Sequence, residues 1–203
     1  MENAIKQNCN FAVIRDICEL VHGDEVGSDS YKSFIERNIN KDKPFVRTSD
    51  IVNFETDIYP DYYIPSELCC EQDVEPGDVL FTKDGKIGCT ALVTIADRMM
   101  ISSGVERLRL NSKALKLGLT QEYLFIVLST TEIGRYGAIR RTVVASTIPH
   151  LREDRLRDII IPIINEGAIS TITELVKKAF LLKAKRKQII RENDLIMEKE
   201  FQC

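Results

Sequence analysis

The last 36 residues, Ala168 to Cys203, contain neither glycine nor proline. Within them a row of positions recurs in steps of four and three: Ala168, Ile172, Leu175, Ala179, Leu182, Arg186, Ile189, Asn193 and Ile196. That spacing lines up one face of an α-helix, and its mean period is that of a helix seated against another helix. A neighbouring row (Ile169, Val176, Phe180, Ile190, Met197) widens the stripe. The pattern predicts one helix of roughly 35 residues, about 50 Å long. A terminal helix of that length outruns the domain before it, so a second helix must cover its stripe. Ile172, Leu175, Val176, Ala179, Leu182, Ile189 and Ile196 are the candidate contacts of a coiled coil, with Arg186 and Asn193 interrupting the seam. The competing expectation is a helix packed entirely on its own domain.

The hydrophobic pattern changes at Asn165, which divides the chain into a domain over 1–164 and a helix over 165–203. Phe11 to Val21 reads as strand or short helix, and KPFVRTSDIV from Lys43 as a strand ending in a polar turn. YPDYYIP from Tyr59 is bounded by prolines and suits a loop or sheet edge. Strands are predicted over Asp78–Thr82, Ile87–Ile95 and Ile159–Ile164. VERLRL from Val105 alternates apolar and charged residues and predicts a half-exposed strand. Thr120 to Thr130 predicts a helix with Thr120 as its N-cap. The fold class is α+β: a compact domain with a mixed or antiparallel sheet and short helices, followed by one long helix.

Charge excludes a simple polyanion binder. The net charge is −3, yet from Arg135 onward there are 14 Lys+Arg against 9 Asp+Glu. The preceding residues carry 14 against 22. Binding to nucleic acid would need a local basic surface and help from a partner. Six cysteines without a CxxC pair and only two histidines, His22 and His150, predict free thiols, no metal and a cytoplasmic protein. No apolar run reaches the roughly 20 residues of a membrane span, and MENAIKQNCN lacks the apolar core of a secretion signal.

The stretch GDVLFTKDGKIG from Gly77 resembles a phosphate-binding loop only superficially, because Ile87 stands where Ser or Thr is needed. Asp84-Gly85 between two β-rich runs instead predicts a hairpin turn flanked by Lys83 and Lys86. Such a tip either touches a phosphate backbone or is simply solvated. Pro60-Asp61 with Asp84-Gly85-Lys86 fits the loose PD…(D/E)xK pattern of metal-dependent nucleases, in which Asp61 and Asp84 would hold Mg²⁺ and Lys86 would orient water. That pattern is degenerate, and Asp84 at a turn apex is poorly placed for it. No Ser-His-acid arrangement and no methyl-transfer motif is present. The segment RYGAIRRTVVASTIPHLREDRLR from Arg135 carries six arginines against Glu153 and Asp154. Arg135, Tyr136, Arg140 and Arg141 lie around Gly134 and Gly137, which predicts a flexible or turning basic loop. Arginine forks pair with guanine edges or phosphates; a solvated basic loop is the alternative.

Taken in order, PFVRTSDI (from Pro44), GDVLFTKDGKIG (from Gly77), SSGVERLRL (from Ser102), EYLF (from Glu122), STIPHL (from Ser146) and IIIPII (from Ile159) lead into the charged helix. This series resembles one target recognition domain, with its spacer helix, of a type I restriction–modification specificity (S) subunit. The resemblance implies a non-catalytic module, needing no cofactor, that reads one half of a split site in double-stranded DNA. Methylation and cleavage would then belong to a methyltransferase (M) subunit and a restriction (R) subunit. On chemical grounds Arg135, Tyr136, Arg140 and Arg141 are assigned to bases or phosphates, and Arg47, Lys83, Lys86, Ser146 and Thr147 to the backbone. Members usually carry two such modules; one here implies a natural half-subunit, a truncated product or part of a fused enzyme. A half-subunit predicts a homodimer through antiparallel C-terminal helices and a palindromic site. The remaining alternatives are the small nuclease above and a helical assembly adaptor that never touches DNA.

Overall fold

The computed structural model describes residues 10–26, 42–56, 62–65, 72–94, 99–130, 132–142 and 149–201. In chain order the elements are β1 (Asn10–Val13), α1 (Ile14–Ile17), β2 (Cys18–His22), β3 (Lys43–Val46), β4 (Ile51–Val52), β5 (Glu55–Thr56), β6 (Tyr63–Ile64), β7 (Val79–Thr82), β8 (Thr90–Leu92), β9 (Met100–Ile101) and β10 (Val105–Leu110). There follow α2 (Ser112–Lys116), α3 (Gln121–Thr130), a π-helical turn over Glu132–Tyr136, α4 (Gly137–Arg140), α5 (Glu153–Arg157), β11 (Ile160–Ile163) and α6 (Glu166–Phe201). The α+β class and the long terminal helix are as the sequence predicts.

The main sheet runs β2-β10-β7-β8, antiparallel throughout. A second sheet, β6-β3-β9, is mixed, with β3 and β9 parallel. Among the described residues there are also two short ribbons, β1 with β11 and β4 with β5. Pro162 lies in the β1–β11 ribbon opposite Phe11, on a strand with one partner, where a missing N–H is tolerated.

β10 corrects one expectation. Its alternation predicts a half-exposed strand, but five of its six residues are buried. Leu108 and Leu110 enter one apolar cluster with Ile14, Ile17, Phe81, Leu124 and Leu128. Val105 enters another with Val46, Leu80 and Ile101. Two of its three charged positions are buried too, each beside opposite charge: Glu106 faces Lys83, and Arg107 faces Asp78. Alternation marks the two faces of a strand; whether water reaches either depends on what packs over it.

Helix boundaries follow local chemistry. Thr120 caps α3, its Oγ1 accepting from the Tyr123 N–H at 3.1 Å. Asn165 caps α6, its Oδ1 accepting from the Ala168 N–H at 2.8 Å. The first turns of α6 belong to the domain core: Ile169 and Val176 are buried with α3, and Thr173 meets Thr120 hydroxyl to hydroxyl at 2.7 Å. Burying each of the two aliphatic side chains contributes about 1.5–3 kcal/mol.

The β4–β5 hairpin turns through Asn53 (φ 52) and Phe54 (φ 69). Positive φ at both central residues is the type I′ geometry of a two-residue hairpin. Asn suits it; a phenylalanine there costs about 1–2 kcal/mol. Gly134 serves another need. A Cβ at this position would lie 2.1 Å from the Val127 carbonyl oxygen and 2.4 Å from Leu128 Cα. Its glycine therefore allows the π-helical turn to lie directly on α3, so the segment expected to be a flexible loop is helical and closely packed.

Candidate nucleic-acid interface

The contact residues chosen from sequence fall into three groups. Arg135 and Tyr136, in the π-helical turn, and Arg140, at the end of α4, are exposed, while Arg141 is half-buried. Arg140 lies 3.8 Å from Glu132, loosely enough for its guanidinium to stay in water. This surface adjoins the turn that carries Lys86. At Gly88 (φ +77) a Cβ would meet Arg135 Cγ at 3.2 Å, so the β7–β8 connection and the arginine turn touch. Lys86 is exposed two residues earlier. Lys86, Arg135, Tyr136 and Arg140 thus belong to one region of the head. Between Arg135 and the β4–β5 tip is a cavity of about 230 Å³, lined also by Asn53, Phe54, Cys89 and Thr90.

Two candidates are engaged elsewhere. Lys83 is only 3% exposed. Its Nζ lies 3.4 Å from Glu106 and against the ring of His22, which itself meets Glu106 at 3.1 Å. The tight Asp84-Gly85 turn expected from sequence is a longer connection between Phe81↔Thr90-paired strands. Lys83 extends β7, its N–H donating to Gly104 and its carbonyl accepting from Leu151. The backbone contact assigned to Lys83 is therefore withdrawn: a buried ammonium held by a buried carboxylate is not presented to a phosphate. Arg47 caps the 3₁₀ turn Thr48–Asp50, its N–H donating to Asp50 at 2.8 Å, and its guanidinium stacks 3.9 Å over the Tyr62 ring. Ser146 and Thr147 lie outside the described residues, as does Asp61. Asp84 hydrogen-bonds His150, and among the described residues no group of three His, Cys, Asp or Glu side chains is arranged to hold a metal ion.

Sequence reasoning missed a buried ionic network. Asp78, 2% exposed, accepts from Arg109 Nε at 2.7 Å and Nη2 at 2.8 Å, and from the Glu75 N–H at 2.8 Å. Hydrogen bonding to Asp78 pushes the Arg109 guanidinium further toward the charged form. Arg107 is pulled the other way, chiefly by burial, with Asp78 at 3.9 Å opposing the shift. The only trace in the sequence is two arginines on one face of VERLRL, at Arg107 and Arg109.

Along α6 the candidate dimer residues divide. Leu175, Leu182, Ile189 and Ile196 are exposed to between 48% and 60%, and Ala179 is exposed. Val176 is buried in the head's own core and Ile172 packs partly against it. Val176 is thus removed from the contact set: the neighbouring row, Ile169, Val176 and Phe180, faces the head, which leaves the predicted seam uncovered beside it. Among the described residues no helix is long and apolar enough to cross a membrane.

No protein-family model and no curated protein matches this chain. Solved structures do. One comes from a study of complex assembly and conformational transition in the type I R-M system; it aligns with a TM-score of 0.56 at 17% identity, over 94% of this chain and 43% of that one. The HsdS subunit from Thermoanaerobacter tengcongensis aligns at 0.51 and 15% identity, over 88% of this chain and 39% of its own. The fold is that of part of a type I restriction–modification S subunit. The type IIG restriction endonuclease BpuSI also shares it, with a TM-score of 0.61 at 9% identity, over 87% of this chain and 27% of that one. This chain spans less than half the length of each. Its head and long helix match together, since 94% coverage takes in both.

Proposed function

We propose that this chain is the DNA-reading specificity subunit, or half of one, of a type I restriction–modification system. It binds one half of a split site in double-stranded DNA and recruits a methyltransferase subunit, while a restriction subunit joins in the complete system. It performs no catalysis itself. The observation that carries this reading is the fold likeness over head and helix together, covering under half of the related chains. Arg135, Tyr136 and Arg140, with Lys86, form the base- and phosphate-contacting surface. Tyrosine stacks or hydrogen-bonds, and the guanidinium forks pair with guanine edges or phosphates.

The exposed seam of α6 pairs antiparallel with that of a second copy. Two identical heads related by a dyad then read a palindromic split site, and the helix sets the gap between half-sites. The test is expression of this chain with a methyltransferase subunit in a host lacking other modification, followed by mapping of methylated adenines. A bipartite palindromic motif with one fixed gap is expected. Methylation at a contiguous site, or at none, overturns the reading.

The likeness to BpuSI favours a second reading, in which the same fold serves as the recognition part of a fused endonuclease. Under it, this chain and a separate methyltransferase subunit yield no methylation, and activity requires both on one polypeptide.

A further inference from the structure

The head grips α6 at two depths. The inner grip is apolar, through Ile169 and Val176. The outer grip is the β4–β5 hairpin. Phe54 packs edge-on to Phe125 with centroids 5.8 Å apart, and Phe125 edge-on to Phe180 at 5.6 Å. One carboxylate, Glu55, holds two lysines a turn apart on the helix, Lys183 at 3.3 Å and Lys187 at 3.0 Å. Lys183 Nζ also donates to the Asn53 carbonyl and lies 5.2 Å from the Phe180 ring centroid. From Gln188 to Phe201 every residue is exposed.

The hairpin adopts left-handed backbone at Phe54, a residue that gains nothing from it locally. What the turn achieves is placement: it sets the Phe54 ring against Phe125 of α3, which in turn packs on Phe180, points the Asn53 carbonyl at Lys183 and sets Glu55 beside both lysines. The apolar contact there is not closed. A cavity of about 170 Å³ lies among Phe54, Phe125, Ile126, Val176, Ala179 and Phe180. Aromatic packing alone therefore leaves the helix room to tilt, and the ion pairs to Glu55 form the outer support.

We infer that the β4–β5 hairpin is a strut that fixes the direction in which α6 leaves the head, with Phe54 and Glu55 as positioning residues. The inference rests on the proposed function where it concerns DNA: by fixing that direction the strut determines which gap between half-sites is accepted. Lever geometry sets the scale. Phe180 lies ~16 Å along the helix from Ile169, Lys187 ~27 Å and Phe201 ~48 Å. A sideways slip of ~1 Å at Phe180 therefore becomes ~3 Å at Phe201, whereas the same slip at Lys187 becomes less than ~2 Å. Holding the helix at the farther point narrows the spread at its free end.

The test uses the full chain, with nitroxide labels at Lys116 and Glu198 on introduced ketone side chains, diluted into unlabelled protein. Electron–electron distance measurement is expected to give one narrow distribution for the native sequence. Glu55→Lys should shift or broaden it by several ångströms. The triple change Glu55→Lys, Lys183→Glu, Lys187→Glu should restore it, which a generally unfolded hairpin would not do. Lys183→Gln with Lys187→Gln leaves the hairpin itself intact and should broaden the distribution on its own. An unchanged distribution in that pair and in Glu55→Lys overturns the strut, whatever the chain does with DNA. Adenine mapping with the methyltransferase subunit is the separate arm: relaxed gap selection is expected for Glu55→Lys. A broadened distribution with an unchanged gap overturns the strut's role in spacing.

Discussion

Asp78→Ala should be among the most damaging single changes outside the apolar core. The carboxylate is almost fully buried and serves three partners: it accepts from Arg109 through two nitrogens and from the Glu75 N–H, and it meets Arg107 by charge alone at 3.9 Å. Arg109 is a quarter exposed, so losing its partner costs little more than a surface pair, under about 1 kcal/mol. Arg107 decides the size of the effect. It is 4% exposed, and its Nε and Nη1 find no hydrogen-bond partner among the described residues. Without Asp78 its charge stays in the sheet and loses its nearest counter-charge, leaving only the weaker fields of Asp73 and Glu19, a cost of about 3 kcal/mol. For a chain of this length that lowers the melting temperature by roughly 10 °C. Arg107→Met removes the same ion pair from the other side, deletes the desolvated charge and keeps the volume. It should leave stability within about 1 kcal/mol of the native protein, or raise it. Urea unfolding of both variants measures the contrast. Equal losses in the two would show that the pair itself is stabilising and that an uncompensated guanidinium is not the cause.

Burial pushes the Cys18 thiol up to about 12, from an ordinary value of 9.0. A raised value means that the folded state holds the proton longer, so this contribution is intact below pH 9.0 and declines as pH rises toward 12. Iodoacetamide at pH 8 should spare Cys18 in the native chain, and Cys18→Ala should flatten the loss of stability across that window; early labelling of Cys18 would contradict its burial. Arg135→Ala with Arg140→Ala should weaken DNA binding by the assembled complex about tenfold or more at moderate salt, with a shallower salt dependence. Titration at two ionic strengths checks this, and unchanged affinity would discard the arginine surface. Ile189→Glu with Ile196→Glu should convert a dimer to a monomer by light scattering while leaving the head's melting temperature unchanged. This pair is preferable to truncation after Asn165, which would remove Ile169 and Val176 from the core.

Much of the architecture was legible because it rests on local rules. A stretch without glycine or proline, with a 3.5-residue period, yields a helix whatever surrounds it, and α6 appears over Glu166–Phe201. Thr120 before an apolar run is a cap by its own chemistry. Exposed arginines after Gly134 were legible as a basic surface, although their helical setting was not, because a glycine that permits close packing and one that permits flexibility look alike in a sequence.

What only tertiary structure decided was the partner of each charge and the covering of each face. Lys83 and Lys86 stand three residues apart in near-identical surroundings, yet one is sealed against Glu106, 23 positions ahead of it in the chain, and the other remains in water. Two adjoining rows of α6 are both apolar over its first turns; the head took the row with Ile169, Val176 and Phe180 and left the other open. Periodicity shows that a face is apolar, because it depends on residues a few positions apart. Which surface covers that face, and which carboxylate quenches which lysine, depends on residues brought together by folding, where desolvation and geometry choose among partners that the sequence presents as equivalent.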